Sequence, residues 1–421
     1  MRQPSLPTTP TDDPVMNISP SSVIRPPATI AILGGGQLGS MLAQAARHMG
    51  YRTLCISSNT DDPAVRWADH HLAADPGDAN VIARIAADVQ VITVETESIE
   101  PAALAAAEAI GTRVAPSSHV QTIVRDRRLE KSFLAANHLS IGPFRIVESA
   151  AQMQHAAQEL FGNGATDILA KTARGGYDGK GQRWIRTPGQ ADAAWLALGQ
   201  VPLVVETRVD FVGEISVIVA RSPDDSMSTL PVFANEHRHG ILFQTRMPAA
   251  LSLATTHAAV DLARRTAQHL NVVGLLAVEM FVLPDGRVLV NEMAARPHNS
   301  GHVTLRAATR SQFEMHIAAI CGLPLPEVEI LRPAVMTNLL GDLWSVESPP
   351  AATNVRGHRN PDWAAVLSDG RATLHLYGKT PRPGRKMGHL IHTGHTAEEA
   401  LASATAAFAR LQTMPTARNM S

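Results

Sequence analysis

The chain has 421 residues, of which 45% are hydrophobic, and its formal net charge at pH 7 is −1. This length predicts two or three domains with real cores, and the near-neutral charge excludes the basic surface of a nucleic-acid-binding protein. No apolar run approaches the roughly 18 residues of a membrane span, and the two cysteines show no metal or disulfide spacing. A cytoplasmic protein without membrane or nucleic-acid partners is therefore expected.

The N-terminal 28 residues are rich in Pro, Ser and Thr and lack the apolar segment of a signal peptide. They predict a mobile tail. Residues 29–33 then predict a short buried strand, which runs into the turn GGGQLG at 34–39 and a helix from 40 to 49. Free backbone N–H groups and the helix dipole converge at such a turn, so it is a candidate anion site.

The same glycines also fit the GxGxxG dinucleotide fingerprint, which alone is a weak signal. An NAD site needs an acidic residue at the end of the second strand, whereas residues 53–56 run into Ser57-Ser58-Asn59. This disfavours NAD without excluding it. Alternating helices and strands up to residue 118 predict a small parallel α/β domain. Glu97 follows one of its strands, where it could touch a ligand or simply lie in an exposed turn.

The next segment predicts a helix from residue 119, whose mixed charges between 125 and 131 would by themselves favour a solvated face. A strand at 167–171 ends in Lys171. It is followed by TARGGYDGKGQ at 172–182, where four glycines predict a loop that brings N–H groups against phosphates and can close as a lid. The Walker order is absent, and a glycine-rich hairpin is the alternative.

A second buried strand at 201–206 ends in Glu206, which is ambiguous on its own. The segment Glu206-Thr207-Arg208-Val209 could offer backbone to an adenine edge and a carboxylate to a ribose, and Glu214 follows it. His237 is predicted in a loop, where a surface histidine is the ordinary interpretation.

The most informative stretch is LAVEMFVLPDGRVLVNEMAARPHNSGH, at residues 276–302. Two runs of strand formers flank Pro284-Asp285-Gly286, which predicts a hairpin. If Asp285-Gly286 is a two-residue turn, Glu279 faces Glu292. Their Cβ atoms would be about 5 Å apart, with a repulsion of roughly 3 kcal/mol at an effective dielectric of about 20. A hard cation such as Mg²⁺ would turn that repulsion into coordination, although two solvated glutamates are the alternative.

Polar residues continue beyond the hairpin and predict an anion site beside the metal site. Arg296 offers a planar fork for a carboxylate or phosphate, and His298 and Asn299 add hydrogen-bonding groups. A third unit of about 90 residues contains four cations between 379 and 386, which suit a small phosphorylated or carboxylated ligand. A solvated basic turn is the alternative there.

Five segments taken in order resemble the ATP-grasp superfamily and, within it, the 5-(carboxyamino)imidazole ribonucleotide synthase family of purine biosynthesis. These segments are ILGGGQLG, DRRLEKSFL, GGYDGKGQ, AVEMF with NEMAARPHNSGH, and PRPGRKMGHL. The resemblance extends from about residue 29 to residue 389. It implies an α/β ATP-grasp ligase that carboxylates aminoimidazole ribonucleotide with bicarbonate and MgATP, through carboxyphosphate, and a homodimer.

The resemblance also implies domain limits and site residues. The expected parts are a tail at 1–28, a pre-ATP-grasp domain at 29–118, an ATP-grasp domain at 119–325, a C-terminal domain at 326–413 and a tail at 414–421. The implied catalytic residues are Lys171, Arg296, His298 and Asn299, and the Mg²⁺ ligands are Glu279 and Glu292. The implied ATP contacts are Arg127, Lys171, Gly176, Tyr177, Asp178, Gly179, Lys180, Gly181, Gln182, Glu206, Thr207, Arg208, Val209, Glu214, His237, Asn291 and Glu292. The implied contacts to the other substrates are Gly36, Gln37, Leu38, Glu97, Arg296, His298, Asn299, Lys379, Arg385 and Lys386.

Two positions depart from the family pattern. Ala295 replaces a proline, and Val94 stands where an aromatic residue is usual, but neither change removes a charged group. The rival interpretations are a sibling ATP-grasp ligase such as formate-dependent glycinamide ribonucleotide transformylase, an NAD-dependent oxidoreductase, and a binding protein without activity.

Overall fold

The computed structural model describes residues 22–176, 178–344 and 360–412. Most of the predicted N-terminal tail, Tyr177 and the predicted tail at 414–421 lie outside these ranges. The prediction of a tail through residue 28 is wrong for residues 22–28. Ile24 is only 4% exposed, its N–H donates to the Cys321 carbonyl at 2.8 Å, and its carbonyl accepts the Tyr51 hydroxyl at 2.7 Å.

The N-terminal part is a five-stranded sheet in the order β3-β2-β1-β4-β5, and every pairing in it is parallel. Its elements are β1 (Thr29–Leu33), α1 (Gln37–His48), β2 (Arg52–Ser57), β3 (His70–Ala73), α2 (Ala79–Ala86), β4 (Val91–Val94), α3 (Pro101–Glu108) and β5 (Arg113–Val114). The predicted parallel α/β domain is confirmed. Its central strand carries four fully buried residues, as expected for a sheet covered on both faces.

The next part is an antiparallel four-stranded sheet in the order β6-β9-β7-β8. Its elements are α4 (Ser118–Val124), α5 (Arg127–Ala136), β6 (Phe144–Val147), α6 (Ala150–Gly162), β7 (Ile168–Thr172), β8 (Gln182–Ile185), α7 (Ala191–Ala197) and β9 (Leu203–Thr207), with a 3₁₀ turn at Pro188–Gln190. The single helix predicted from residue 119 is wrong. It is divided in two because Asp126, in extended backbone, caps α5 by accepting the Arg128 N–H.

The largest sheet begins with the segments that follow β9. These are β10 (Gly213–Arg221), β11 (Met227–Thr229), β12 (Phe233–Arg238), β13 (Ile241–Met247), α8 (Leu253–Leu270), β14 (Gly274–Val282), β15 (Val288–Ala294), α9 (Thr304–Ala307) and α10 (Gln312–Ile320), with a 3₁₀ turn at Asn299–Val303. Helix α8 buries Leu262, Ala263 and Ala267 in the same core as β10 and β14. Within the described ranges, no helix is both long enough and apolar enough to cross a membrane.

The C-terminal segments continue this sheet instead of forming one of their own. They are β16 (Ala334–Leu340), α11 (Trp363–Leu367), β17 (Ala372–Leu376), β18 (Lys386–Thr393) and α12 (Ala397–Gln412), with a 3₁₀ turn at Gly341–Trp344. Strand β16 pairs with β13 and β18, which gives the order β15-β14-β10-β12-β13-β16-β18-β17. The basic segment before β18 is thereby carried to the same side of the molecule as the β14–β15 hairpin.

Candidate active site

The β14–β15 hairpin places Glu279 opposite Glu292, as predicted, but not by the predicted turn. The loop has three residues, 284–286, since the Leu283 N–H donates to the Arg287 carbonyl at 2.8 Å, and Gly286 takes φ +85°, a combination common in three-residue hairpin loops. In that register Glu279 would face Asn291. One extra residue in β15 restores the pairing, because the register shifts between Glu279 and Met280.

The extra residue is Asn291, so β15 carries a β-bulge beside the site. A bulge lets two consecutive side chains point to one side of a sheet, whereas a regular strand alternates them. Asn291 and Glu292 both line one cavity, while Val290 and Met293 on either side are buried in the core. The bulge therefore gives the cavity wall an amide and a carboxylate in succession.

The first cavity, of about 310 Å³, lies between the four-stranded sheet and the hairpin. Lys171 is the residue before the last of β7 and lines this cavity, 2.6 Å from Glu206 and 3.4 Å from the Asn291 amide oxygen. Burial raises the pKa of Glu206, but the ammonium groups of Lys171 and Lys131 outweigh it and lower that pKa to about 2. The Glu206 carboxylate thus pairs with both lysines and holds their two positive charges at this wall of the cavity.

Most of the predicted ATP contacts gather around this cavity, whereas Gly176 lines a second, neighbouring cavity and Gly181 lines neither of the two. The wall of the first cavity contains Arg127, Lys171, Asp178, Gly179, Lys180, Gln182, Glu206, Thr207, Arg208, Val209, Glu214, His237, Asn291 and Glu292. Arg208 turns its guanidinium away toward Asp167 and Asp210, at 3.1 and 3.2 Å. Tyr177 lies outside the described residues.

The glycine-rich loop closes over the cavity from above. Arg127, the first residue of α5, holds its base by donating to the carbonyls of Thr172 and Gly176, at 3.2 and 2.9 Å. At the tip, a Cβ on Gly240 would come within 2.8 Å of the Gly179 Cα. The tip therefore touches the β12–β13 turn so closely that a side chain does not fit there.

His237 lies in strand β12, so its predicted loop position is wrong. Its Nδ1 is 2.6 Å from Glu214 on the neighbouring strand β10. Burial lowers the pKa of His237, but the Glu214 carboxylate outweighs this effect and raises it. Together they form a pH-sensitive polar pair in the wall of the first cavity.

The second cavity, of about 770 Å³, lies between the N-terminal sheet and the segment after the hairpin. Arg296 reaches Glu97 at 2.6 Å, and His298 donates through Nε2 to Glu279 at 2.8 Å. The Asn299 amide exchanges hydrogen bonds with Asn338, at 3.1 and 2.7 Å. Burial raises the pKa of Glu97, yet Arg296 and its hydrogen bond bring that pKa below the usual value.

The glycine turn at 34–39 borders this cavity, but two of its N–H donors are already used. Glu95 accepts the N–H of Gly36 at 2.9 Å and of Gly39 at 3.2 Å. A Cβ on Gly36 would lie 2.7 Å from that carboxylate, which explains glycine there. Two N–H groups of the predicted anion site are thus taken by Glu95, while the side chains of Gln37 and Leu38 line the cavity.

Three predicted cations come from the C-terminal segments. Lys386 lines the second cavity and is 3.0 Å from Asp178 of the glycine-rich loop. Lys379 contacts the Gln37 amide oxygen, and Arg385 donates to the Thr380 carbonyl at 2.9 Å. Burial and nearby Arg385 lower the pKa of Lys379 to about 8.

The two cavities share a wall, and the two glutamates of the hairpin belong to it. The residues that line both are Arg127, Asp178, His237, Gly240, Glu279 and Glu292. Carboxylate oxygens suit a hard divalent cation such as Mg²⁺, which also takes phosphate oxygens and water. Among the described residues no cluster of three potential ligands exists. The pair therefore fits a cation that completes its shell with a bound phosphate.

Sequence reasoning missed several residues of the site. Glu130 and Lys131 face the hairpin from α5, and burial, outweighing the neighbouring Lys131, raises the pKa of Glu130 to about 8. Phe211 and Phe281 stack with ring centroids 4.6 Å apart and, with Trp184, line the first cavity. In the sequence, Glu130 and Lys131 are adjacent charges in DRRLEKSFL. The other charges of that segment favoured the interpretation of a solvated helix face, so these two residues were not singled out.

Comparison with known protein families gives three matches along the chain. Residues 27–125 match the ribonucleotide synthetase preATP-grasp domain, residues 132–313 the ATP-grasp domain, and residues 334–403 the phosphoribosylaminoimidazole carboxylase C-terminal domain. Their order agrees with the three parts of the fold and confirms the predicted ATP-grasp architecture.

Individual relatives give the same result. N5-carboxyaminoimidazole ribonucleotide synthase of Bacillus subtilis is 40% identical over 370 residues, covering 87% of this chain and 92% of the relative. The N5-carboxyaminoimidazole synthetase of Staphylococcus aureus, solved with ADP, superposes with a TM-score of 0.82 at 31% identity, over 92% of this chain and 98% of that one. The Aspergillus clavatus enzyme, solved with ADP and 5-aminoimidazole ribonucleotide, superposes at 0.79 with 26% identity, over 93% and 99%. The chain therefore belongs to the N5-carboxyaminoimidazole ribonucleotide synthase family.

Proposed function

We propose that this protein is a ligase that carboxylates 5-aminoimidazole ribonucleotide in purine biosynthesis. It uses ATP and bicarbonate and releases ADP and phosphate. The observation that carries the proposal is the shared wall, where Glu279 and Glu292 stand between a cavity lined with nucleotide-binding features and a cavity lined with arginine, histidine and lysine. A phosphoryl group can pass from one cavity to the other across that wall.

The first cavity accommodates ATP. Leu169, Trp184, Phe211, Phe281 and Val290 make one end apolar, which suits a base, while Lys171 and Arg127 make the other end cationic. Glycine-loop N–H groups and these cations stabilise the charge on the transferring phosphoryl group. Lid closure excludes water, so that ATP is not lost to hydrolysis.

Glu279 and Glu292 are the residues that would hold Mg²⁺. The ion supplies neutralisation of charge on the phosphate oxygens when it is bound. Burial raises the pKa of Glu279, but His298, His237 and Lys386 outweigh it and keep the pKa low, so this carboxylate stays ionised.

Arg296 and His298 hold bicarbonate in the second cavity. A bicarbonate oxygen attacks the γ-phosphorus of ATP, the bond to the bridging oxygen breaks, and ADP leaves with carboxyphosphate formed. Carboxyphosphate then gives CO₂ and phosphate. The exocyclic amine of the ribonucleotide attacks CO₂ and passes its proton to the departing phosphate. Ion pairs to Glu97 and Glu279 fix the arginine and the imidazole in place, so that they are oriented before the substrate arrives.

Gln37, Leu38 and Lys386 would contact the ribonucleotide, because they line the second cavity. Lys379, which contacts Gln37, and Arg385 would approach it from the same C-terminal segment, although neither lines the cavity in this structure. We further propose a cytoplasmic homodimer. Light scattering of the purified chain tests the dimer, since a mass of one chain would contradict it.

ADP release measured with and without bicarbonate and aminoimidazole ribonucleotide tests the reaction. We expect rapid release only when both are present. Stimulation by formate in place of bicarbonate would identify the sibling transformylase instead. NADH binding would support the oxidoreductase interpretation, which is disfavoured because Glu95 already occupies the N–H groups that a pyrophosphate would need.

A further inference from the structure

Strand β15 is the edge of its sheet, so some of its backbone groups face away from β14, and helix α5 supplies partners for two of them beside the bulge. Lys131 donates to the Asn291 carbonyl at 2.7 Å, and Glu130 accepts the Met293 N–H at 2.5 Å. The residue between these two anchored positions is Glu292. Two consecutive residues of one helix are thus hydrogen-bonded to the strand backbone on both sides of Glu292.

Both side chains that make these hydrogen bonds are buried. Glu130 is 2% exposed and Lys131 is 3% exposed. Burying a carboxyl group is costly unless hydrogen bonds compensate it, so an apolar residue would be the ordinary choice for a helix face packed on a strand. We therefore infer that the carboxyl group at position 130 serves to accept the Met293 N–H, and a substitution there can test this.

We propose that Glu130 is a positioning residue, which fixes the backbone after Glu292 and thereby holds that carboxylate at the shared wall. Glu130 also lines the second cavity, but in this role it acts through the Met293 backbone. The inference rests on the proposed function in one respect, namely that Glu292 serves as a cation ligand. Residues that orient metal ligands typically change metal affinity or activity about 10- to 100-fold when they are replaced.

Three substitutions separate the hydrogen bond from size and charge. Glu130→Gln keeps an oxygen that can accept the Met293 N–H, Glu130→Leu removes it, and Glu130→Asp keeps the acid but withdraws the oxygen by one methylene. Glu108→Leu and Glu108→Gln are the matched controls, because Glu108 also accepts a backbone N–H, that of Ser118 at 2.8 Å, away from both cavities.

Calorimetric titration with ADP, once with Mg²⁺ and once with EDTA, measures the affinity that depends on the cation. We expect Glu130→Leu and Glu130→Asp to weaken MgADP binding about 10- to 100-fold while ADP in EDTA binds within about twofold of wild type. For Glu130→Gln and both Glu108 variants, Mg²⁺ should increase the affinity for ADP by the same factor as in wild type. If Glu130→Leu does not fold, the comparison of Asp with Gln carries the test.

The proposal is overturned if Glu130→Leu or Glu130→Asp keeps the full increase in ADP affinity that Mg²⁺ gives the wild type. It is also overturned if Glu130→Gln loses that increase as completely as they do. Equal weakening with Mg²⁺ and with EDTA would also overturn it, since that result indicates a general packing role. The titration needs neither bicarbonate nor ribonucleotide. A wild-type enzyme that ignores both in the ADP-release assay would refute the proposed function and leave this test unaffected.

Discussion

Two regions of the molecule carry local patterns typical of ligand binding, and the structure treats them in opposite ways. The glycine turn before α1 directs N–H groups to one point, but Glu95, the residue after β4, already accepts those of Gly36 and Gly39. The β14–β15 hairpin brings two carboxylates together, and both line the wall between two cavities. The first pattern is satisfied within the protein, whereas the second is directed at a ligand.

The difference shows that a local sequence pattern predicts which polar groups lie together, but not whether they bind a ligand or another part of the protein. The partner of the glycine turn stands 59 residues from Gly36 in the chain. At the hairpin, the distant partners are the side chains of Arg127 and His298, at 3.6 and 2.8 Å. They border the carboxylates and leave the wall between them open to both cavities. Binding capacity therefore depends on the fold as much as on the motif.

The largest effect is expected at the hairpin. Glu292→Gln removes one charge from the shared wall, and we expect ADP release to fall about 1,000-fold or more, since loss of a cation ligand removes several kcal/mol of charge stabilisation. Thermal unfolding should remain near that of wild type, because the side chain is 42% exposed. Turnover close to wild type in the ADP-release assay would contradict the assignment of this carboxylate.

Glu95→Ala tests the other side of the comparison. It leaves the N–H groups of Gly36 and Gly39 without their acceptor, so we expect the free energy of unfolding to fall by about 1–3 kcal/mol. Urea denaturation measures this loss, and Glu95→Gln, which keeps an acceptor, serves as the control. If Glu95→Ala is as stable as Glu95→Gln, the carboxylate does not hold the turn together.

Lys379 links the glycine turn to substrate through its contact with Gln37. Burial, followed by the charge of Arg385, lowers the pKa of Lys379 to about 8. The ammonium form is favoured below that pH and is lost above it. We therefore expect the KM for the anionic ribonucleotide to rise about tenfold between pH 7 and pH 9, and Lys379→Arg to flatten this rise. An identical pH profile for both enzymes would exclude Lys379 as its source.

The smallest effect is expected at the far end of the hairpin, where Phe281 stacks on Phe211. Phe281→Leu loses an aromatic contact worth about 0.5–1.5 kcal/mol, so the KM for ATP should rise roughly threefold with kcat retained. Steady-state kinetics at saturating bicarbonate checks this. A large fall in kcat with unchanged KM would mean that the ring supports the carboxylates and not the nucleotide.

Elements set by local periodicity could be predicted from the sequence. Strand β1 was predicted with its observed limits, and the pairing of Glu279 with Glu292 was predicted correctly although its premise was wrong. A longer turn and a bulge shift the register in opposite directions, and their effects cancel. Neither irregularity leaves a reliable local signal.

Features that depend on distant contacts could not be predicted. Strand β16 joins the central sheet through pairing with β13, and His237 is placed in a strand by its neighbours. Glu130 lies among mixed charges, which ordinarily indicate a solvated helix face. Only its contact with Met293, 163 positions away, shows that this side chain is directed inward.

The central claim is that a phosphoryl group passes from ATP to bicarbonate across the wall formed by Glu279 and Glu292. Bicarbonate labelled with ¹⁸O tests it directly, by mass spectrometry of the phosphate released in the presence of ATP and aminoimidazole ribonucleotide. The account predicts one ¹⁸O atom transferred from bicarbonate to each phosphate. Phosphate whose new oxygen comes only from water would contradict it.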